Sequence, residues 1–179
     1  EVEIFQTTSK EQTLERITKA DVIVTNKVVI TDAHMQKCPN LKLICIAATG
    51  MNNVDLEAAK SNNIQVKNVA GYSTDSVIQH TFSMLFYLVG HSRYYDEVVK
   101  DGTYSKSAIF TDVSRPFFEI KGKKWGIIGL GSIGRGVANI AKAFGAEVYY
   151  YSTSGVNRTD DFQRTSLDEL LKTCDIISI

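Results

Sequence analysis

The stretch Trp125–Gly155 reads WGIIGLGSIGRGVANIAKAFGAEVYYYSTSG, and it constrains the fold more than any other part of the chain. An apolar run leads into the glycine pattern GxGxxG, which is followed by apolar residues at helical spacing and, after Gly145, by a second apolar run. Glycines placed in this way let a strand turn sharply into a helix that packs closely against it. The stretch therefore predicts a strand, a helix and a second strand of a dinucleotide-binding unit.

The residues of this turn are predicted to bind a pyrophosphate. Gly129 allows the tight turn, Gly131 lets the backbone approach the phosphates without a Cβ in the way, and Gly134 permits close packing of helix and strand. The first turn of the helix offers free N–H groups near Ser132 and Ile133 to the phosphate oxygens. A glycine-rich turn with a purely structural role is the alternative.

The end of the second strand bears on the choice between NAD and NADP. In NAD sites a carboxylate about twenty residues beyond the glycines binds the ribose hydroxyls, whereas Ser152, Thr153 and Ser154 stand at this position here. A carboxylate at about 4 Å would repel a 2′-phosphate by roughly 4 kcal/mol at an effective dielectric near 20. Hydroxyl groups and the nearby Arg158 can instead donate hydrogen bonds to phosphate. We therefore predict that NADP is accepted, with NAD as the alternative because hydroxyls can also bind a ribose.

Composition and charge exclude several classes of function. Twenty basic residues balance twenty acidic ones, so no charge excess indicates a nucleic-acid or membrane-surface partner. Cys38, Cys45 and Cys174 are widely spaced and form no CxxC pair, which predicts reduced thiols without a disulfide framework or a bound metal. No apolar run reaches the roughly eighteen residues of a membrane span. We expect a cytoplasmic α/β protein.

The chain before the glycine pattern alternates between short apolar runs and segments with helical spacing. This alternation predicts βαβ units on a parallel sheet. The predicted strands are Val22–Val24, Leu43–Ala47 and Ile64–Val69, and the predicted helices are Lys10–Lys19, Asp32–Lys37 and Asp55–Ser61. The opening residues EVEIF suggest a further strand already under way, and the closing CDIISI suggests a buried one. We therefore expect this to be part of a longer chain.

A long apolar helix is predicted in the middle of the chain. Val77–Val89 is apolar on nearly every face, which indicates burial between layers or subunits. Ser73, Thr74 and Asp75 before it are suitable N-cap residues. We place a domain boundary near Tyr72. Residues 93–124 are polar and aromatic, and we expect SRPFFEIKGKK at 114–124 to cross the surface before the next strand begins at Trp125.

Four pieces of sequence, in order, resemble the D-2-hydroxyacid dehydrogenase family. They are AATGMNNVD at 47–55, NVAGYSTDSVIQHTF at 68–82, KGKKWGIIGLGSIGRGVA at 121–138, and the closing LDELLKTCDIISI. The second piece and YYDEVVKDGTYS are most similar to the hydroxypyruvate and glyoxylate reductase, or glycerate dehydrogenase, branch. The resemblance implies a flavodoxin-like substrate domain in residues 1–72, lacking its first strand, and the first half of a Rossmann domain in residues 73–179. It also implies an active site between the domains and a homodimer formed through the 74–90 helix.

The same resemblance implies hydride transfer between NAD(P)H and a small 2-oxo or 2-hydroxy acid. The family's substrate carboxylate is held by backbone N–H groups of a loop that matches Thr49, Gly50 and Met51, and consecutive amides of this kind can form an anion-binding nest. The alternative is a turn that only ends a strand. Thr74 matches a family position whose hydroxyl lies near the cofactor, although it could equally be an N-cap. Ala70 and Gln79 depart from the family's usual proline and glutamate.

The resemblance implies no catalytic residue within these 179 positions. The family's arginine, glutamate and histidine, which orient the carbonyl and pass the proton, are expected beyond residue 179. None of His34, His80 or His91 matches that histidine. A second class of function remains open, because the C-terminal binding protein corepressors use the same pair of domains as a cofactor-sensing interaction module.

Overall fold

The computed structural model describes all 179 residues, which divide into two compact units, Glu1–Tyr72 and Ser73–Ile179. Each unit contains its own parallel β-sheet and its own cluster of buried apolar side chains. The predicted parallel-sheet α/β fold class is therefore confirmed in both units. No helix in the structure combines the length and apolar character needed to cross a membrane.

The first unit is a three-stranded parallel sheet with helices between its strands. The strands β1 (Val22–Thr25), β2 (Leu43–Ile46) and β3 (Gln65–Asn68) lie in the order β1-β2-β3. The helices are α1 (Lys10–Ile17), α2 (Asp32–Met35) and α3 (Leu56–Ser61). The boundaries of all six elements lie within two residues of the predicted ones. Ile44 and Ile46 of the central strand point to the same face of the sheet and are almost completely buried, whereas Leu43 and Cys45 on the opposite face are partly buried.

The strand predicted at the start of the chain is absent. Residues 1–5 have no regular secondary structure, and Val2 and Ile4 are 85% and 81% exposed. A strand is stable only when its backbone groups pair with a neighbour, and β1 pairs with β2 alone. The apolar residues at the start of the chain are therefore not enough to form a strand, because no strand of this unit pairs with residues 1–5.

The second unit is built on a four-stranded parallel sheet in the order β6-β5-β4-β7. This is the order 3-2-1-4 of a Rossmann sheet, so the structure contains the predicted first half and the fourth strand as well. Its strands are β4 (Lys124–Ile128), β5 (Glu147–Tyr151), β6 (Gln163–Arg164) and β7 (Ile176–Ser178). Its helices are α4 (Thr74–Val89), α5 (Ser92–Lys100), α6 (Ser132–Ala143) and α7 (Leu167–Thr173), with one 3₁₀ turn at Tyr104–Lys106.

Helix α5 lies in a region that the sequence analysis described only as a surface connection. Its Val98 is buried, while the hydroxyl groups of Tyr94 and Tyr95 bond to the following loop at Asp112 and Arg115. His91, with a left-handed backbone (φ 48°), joins α4 to α5. The sequence analysis assigned no element to residues 93–100, because the two tyrosines of this helix bind the loop through their hydroxyl groups and form no apolar stripe.

Helix α4 packs along α6, and the two helices run in the same direction. Ile78 of α4 lies against Gly136 of α6, so closely that a Cβ at Gly136 would overlap the Ile78 side chain. Further along, Phe82 and Phe86 contact Phe144, which follows the last residue of α6, at ring-centroid distances of 6.0 and 5.4 Å. The beginning of α4 therefore points toward the glycine turn that precedes α6.

Trp125 links the strand before the glycine turn to this helix pair. It is 1% exposed, its ring lies 5.2 Å from that of Phe82, and its indole N–H donates to the Ser178 hydroxyl at 3.1 Å. Trp125 thus connects the strand before the turn to the neighbouring strand β7 and to α4.

Candidate functional site

The turn between β4 and α6 has the geometry that the glycine pattern predicts. Gly129 has φ +97°, which a residue with a side chain rarely adopts, and its N–H donates to the Tyr151 carbonyl at 2.9 Å. A Cβ on Gly134 would lie inside van der Waals contact of the Gly129 carbonyl oxygen and 3.2 Å from the Ile127 side chain. Helix α6 therefore packs directly on the turn, and any side chain at Gly134 would separate them.

The N-terminus of α6 is open. Its N-cap is Gly131, which provides no side-chain cap, and a Cβ built on Gly131 would have nothing within 4 Å. Ser132 and Ile133 are exposed, and the first turn contains no acidic residue. The unpaired N–H groups and the positive end of the helix dipole are thus available to an anion. This space and these donors fit a pyrophosphate.

The three hydroxyl groups that follow β5 differ in their exposure to solvent. Ser152 is 3% exposed, and its Oγ has no hydrogen-bond partner, whereas Thr153 and Ser154 are exposed. Ser152 continues the buried face of Val148 and Tyr150, which accounts for its position. An unpaired buried hydroxyl costs roughly 1–3 kcal/mol, so Ser152 has a donor and an acceptor available to a group that reaches the end of this strand.

Two guanidinium groups flank the same loop. Arg158 is exposed, and its Nε donates to the Gly155 carbonyl at 3.4 Å. Arg135, in the first turn of α6, donates from its terminal nitrogen to the Arg158 carbonyl at 2.8 Å. The sequence analysis missed Arg135. The available signal was a cation near a helix N-terminus, where the helix dipole disfavours positive charge.

Thr74 is not an N-cap. It is the first residue of α4, the cap position belongs to Ser73, and the Ser73 hydroxyl makes no capping hydrogen bond. Thr74 is half-buried and lies one turn before Ile78, toward the glycine turn. The capping alternative for Thr74 is therefore excluded, and its hydroxyl is free for another partner.

The predicted substrate loop in the first unit follows β2. Its position is fixed by β3, since the Asn68 side chain donates to the Thr49 carbonyl at 2.6 Å and the Thr49 hydroxyl donates to the Val69 carbonyl at 3.4 Å. Thr49 and Gly50 are exposed, while Met51 packs against the core of this unit. The N–H groups of all three residues donate to no protein acceptor.

This loop is not a nest of the kind that the sequence suggested. A nest alternates right-handed and left-handed residues, and none of Thr49, Gly50 and Met51 has a positive φ. The following helix does not provide the anion site either, because Asp55 caps α3 by accepting from the Ala58 N–H at 3.0 Å. The free amides of the extended loop are its remaining donors.

The histidines and thiols do not assemble into a further site. His34 Nδ1 accepts from the Thr31 N–H at 3.1 Å, and His91 Nε2 lies 3.0 Å from the Pro116 carbonyl. All three cysteines are free, and burial raises the pKa of Cys38 and of Cys174. No group of three or more His, Cys, Asp or Glu residues is placed to hold a metal ion.

The family is established by comparison with known proteins. The model of the D-isomer specific 2-hydroxyacid dehydrogenase catalytic domain matches residues 1–175. The chain belongs to this family. Among curated D-2-hydroxyacid dehydrogenases, the hydroxypyruvate reductase of Blautia hydrogenotrophica is 33% identical over 174 residues, which are 96% of this chain and 54% of the relative. The chain spans about half the length of the curated relatives that it matches.

Two solved structures are similar to this chain in fold. The acyclic imino acid reductase Bsp5, in complex with NADPH and D-Arg, gives a TM-score of 0.82 at 30% identity, covering 95% of this chain and 53% of that one. The D-lactate dehydrogenase of Aquifex aeolicus, complexed with NAD and lactic acid, gives 0.76 at 32% identity, covering 92% and 49%.

Proposed function

We propose that the protein transfers a hydride between NAD(P)H and a small 2-oxo or 2-hydroxy acid of the hydroxypyruvate or glyoxylate type. The uncapped N-terminus of α6, directly after the Gly129 turn of a sheet in Rossmann order, is the observation that carries this proposal. The hydroxypyruvate reductase relative supports the substrate class. The neighbours with bound NADPH and NAD support a nicotinamide dinucleotide.

The cofactor would be held by the residues around this turn. Gly129, Gly131 and Gly134 admit the pyrophosphate, and the N–H groups of Ser132 and Ile133 bind its oxygens. Thr74 contributes its free hydroxyl from the start of α4. When bound, the nicotinamide supplies or accepts the hydride, while these residues of the chain bind and orient it.

We also infer that the protein accepts NADP as a cofactor. Thr153, Ser154 and Arg158 are exposed donors in the loop after β5, and Ser152 adds an unpaired hydroxyl from the buried side. No carboxylate lies between Ser152 and Thr159 to repel a 2′-phosphate. A kcat/KM for NADH more than tenfold above that for NADPH would contradict the proposal that NADP is accepted.

The substrate carboxylate would bind to the amides of Thr49, Gly50 and Met51. These groups have no protein acceptor, and hydrogen bonds from backbone N–H groups to a carboxylate are charge-assisted and short. We assign the substrate domain to residues 1–72 and the cofactor domain to residues 73–179.

We also propose a cytoplasmic homodimer formed through α4. Met84, Tyr87 and Leu88 expose half or more of their surfaces on one side of this helix, and contiguous apolar surface of this kind marks interaction sites. Three free thiols fit a reducing compartment. Leu88→Asp should give a monomer in light scattering, whereas an unchanged mass would exclude this interface.

The proposed activity is tested on the full-length protein with hydroxypyruvate and glyoxylate, each with NADH and NADPH. Turnover of either acid, followed by loss of reduced-nicotinamide absorbance, is the expected result. Tight cofactor binding without turnover of any small 2-oxo acid would contradict it and favour a cofactor-sensing interaction module.

A further inference from the structure

The loop after β5 is anchored at two points, one inside the fold and one at its surface. Inside, the hydroxyl of Tyr150, which is 1% exposed, accepts from the Thr159 N–H at 3.3 Å. At the surface, the Arg135 guanidinium donates to the Arg158 carbonyl at 2.8 Å. The other hydrogen bonds of the loop between Ser152 and Thr159 are local, such as that from the Gly155 N–H to the Ser152 carbonyl at 3.2 Å.

Arg135 is placed against the local electrostatics of its own helix. It lies in the first turn of α6, where the helix dipole disfavours a cation, and this turn has no acidic residue to balance it. Neither Arg135 nor Arg158 takes part in an ion pair with a carboxylate. Its hydrogen bond to a main-chain carbonyl uses part of the guanidinium fork and leaves its charge uncompensated.

We propose that Arg135 is a positioning residue that determines cofactor selectivity. By holding the Arg158 carbonyl, it fixes the loop so that Thr153, Ser154 and the Arg158 guanidinium converge on an anionic group at the end of β5. This inference rests on the proposed binding of a dinucleotide, and it assigns the 2′-phosphate of NADP as the group whose affinity Arg135 controls. The hydrogen bond is made to main chain, so the loop is held whatever the conformation of the Arg158 side chain.

The test measures binding rather than turnover. Calorimetric titration of the full-length protein with adenosine 2′,5′-bisphosphate and with adenosine 5′-monophosphate isolates the 2′-phosphate. Arg135→Ala is expected to weaken binding of the bisphosphate about tenfold and that of the monophosphate less than twofold. Arg164→Ala, which removes an exposed positive charge from β6 of the same unit, is the matched control and should weaken both less than twofold.

A double-mutant cycle separates positioning from direct contact. If Arg135 acts through the loop, its replacement should weaken bisphosphate binding less in an Arg158→Ala background than in the natural protein, because only Thr153 and Ser154 then depend on the held loop. Additive losses, or equal weakening of both nucleotides, would overturn the proposal. If Arg135→Ala does not fold, Arg135→Lys serves instead, since lysine keeps the charge without the fork and should still weaken only the bisphosphate. A selective loss in a protein without turnover would support this inference while contradicting the proposed activity.

Discussion

Both units contain a parallel strand followed by a loop and a helix, but their unpaired backbone N–H groups lie in different places. In the first unit, Asp55 caps α3 with a carboxylate, so the helix N-terminus is occupied and the free donors are the amides of the preceding loop. In the second unit, α6 begins at Gly131 without a cap, so the helix N-terminus itself is open. The capped helix has six residues and the uncapped helix has twelve, and we expect the two units to bind anions through different donors.

This difference follows from one residue at each N-cap. Aspartate satisfies the first amides of a helix and adds a negative charge near its positive end. Glycine does neither, and it leaves the space where a phosphate can approach the backbone. We therefore expect the first unit to bind a small carboxylate through its extended loop, and the second to bind a larger, more highly charged group at the helix N-terminus.

The largest expected effect is the loss of dinucleotide affinity when an aspartate N-cap, like that of α3, replaces the glycine before α6. Gly131→Asp has room for its side chain, because a Cβ there contacts nothing within 4 Å. The new carboxylate would repel a bound pyrophosphate by about 4 kcal/mol at 4 Å and an effective dielectric near 20. We expect at least a hundredfold loss of NADH and NADPH affinity by calorimetry. Gly131→Asn is the neutral control, and equal losses in the two variants would show that charge is not the cause.

The next largest effect is a loss of stability when α6 cannot pack closely against the strand that precedes it. Gly134→Ala places a methyl group against the Gly129 carbonyl, which cannot move without opening the turn. Overpacking of this kind costs about 1–3 kcal/mol, and urea denaturation should show that loss. Gly136→Ala is the matched control, since it meets the flexible Ile78 side chain instead. A larger loss at Gly136 than at Gly134 would contradict this account.

Removal of the cap in the first unit should have a smaller and separate effect. Asp55→Ala is expected to lower the free energy of unfolding by about 1 kcal/mol, since an unpaired N–H is left at the start of α3. Asp55→Asn should retain most of the stability. Dinucleotide affinity should not change in either variant, and a clear fall would mean that the two sites are not independent.

The smallest effect is a pH dependence carried by the buried thiols. Burial raises the pKa of Cys38 in the first unit and is the main cause of the raised pKa of Cys174 in the second. The resulting stabilisation is fully present below the pKa of an unfolded cysteine and is lost as pH rises through the folded pKa. The free energy of unfolding should therefore fall more steeply above pH ~9 in the natural protein than in Cys38→Ala. Parallel pH profiles would argue against this contribution from Cys38.

The sequence predicted the six elements of the first unit and the glycine turn of the second, and it failed elsewhere in each unit. Glycine geometry is local, so the turn at Gly129, the packing position of Gly134 and the strand after Gly145 could all be inferred from the pattern. The strand at residues 1–5 was wrong because pairing depends on a partner elsewhere in the chain. Helix α5 was missed because its tyrosines bind a loop that is distant in sequence.

Within the candidate site, residue identity was predictable, but several environments were not. Ser152 was recognised as a polar residue at the end of a strand, yet its burial follows from the alternation set by Val148 and Tyr150, which the sequence analysis did not apply. Arg135 could not be linked to Arg158 from sequence, because the 23-residue separation is closed only by the crossover from α6 to β5. The binding roles of these residues remain predictions.

Trp125 gives the second unit a built-in optical signal. It is the single tryptophan of these residues, it is almost fully buried, and it belongs to the strand that leads into the glycine turn. Its emission should be blue-shifted in the folded protein and should report on this unit alone. Reduced nicotinamide absorbs where tryptophan emits, so quenching by energy transfer would distinguish NAD(P)H bound at this turn from a dinucleotide bound far away.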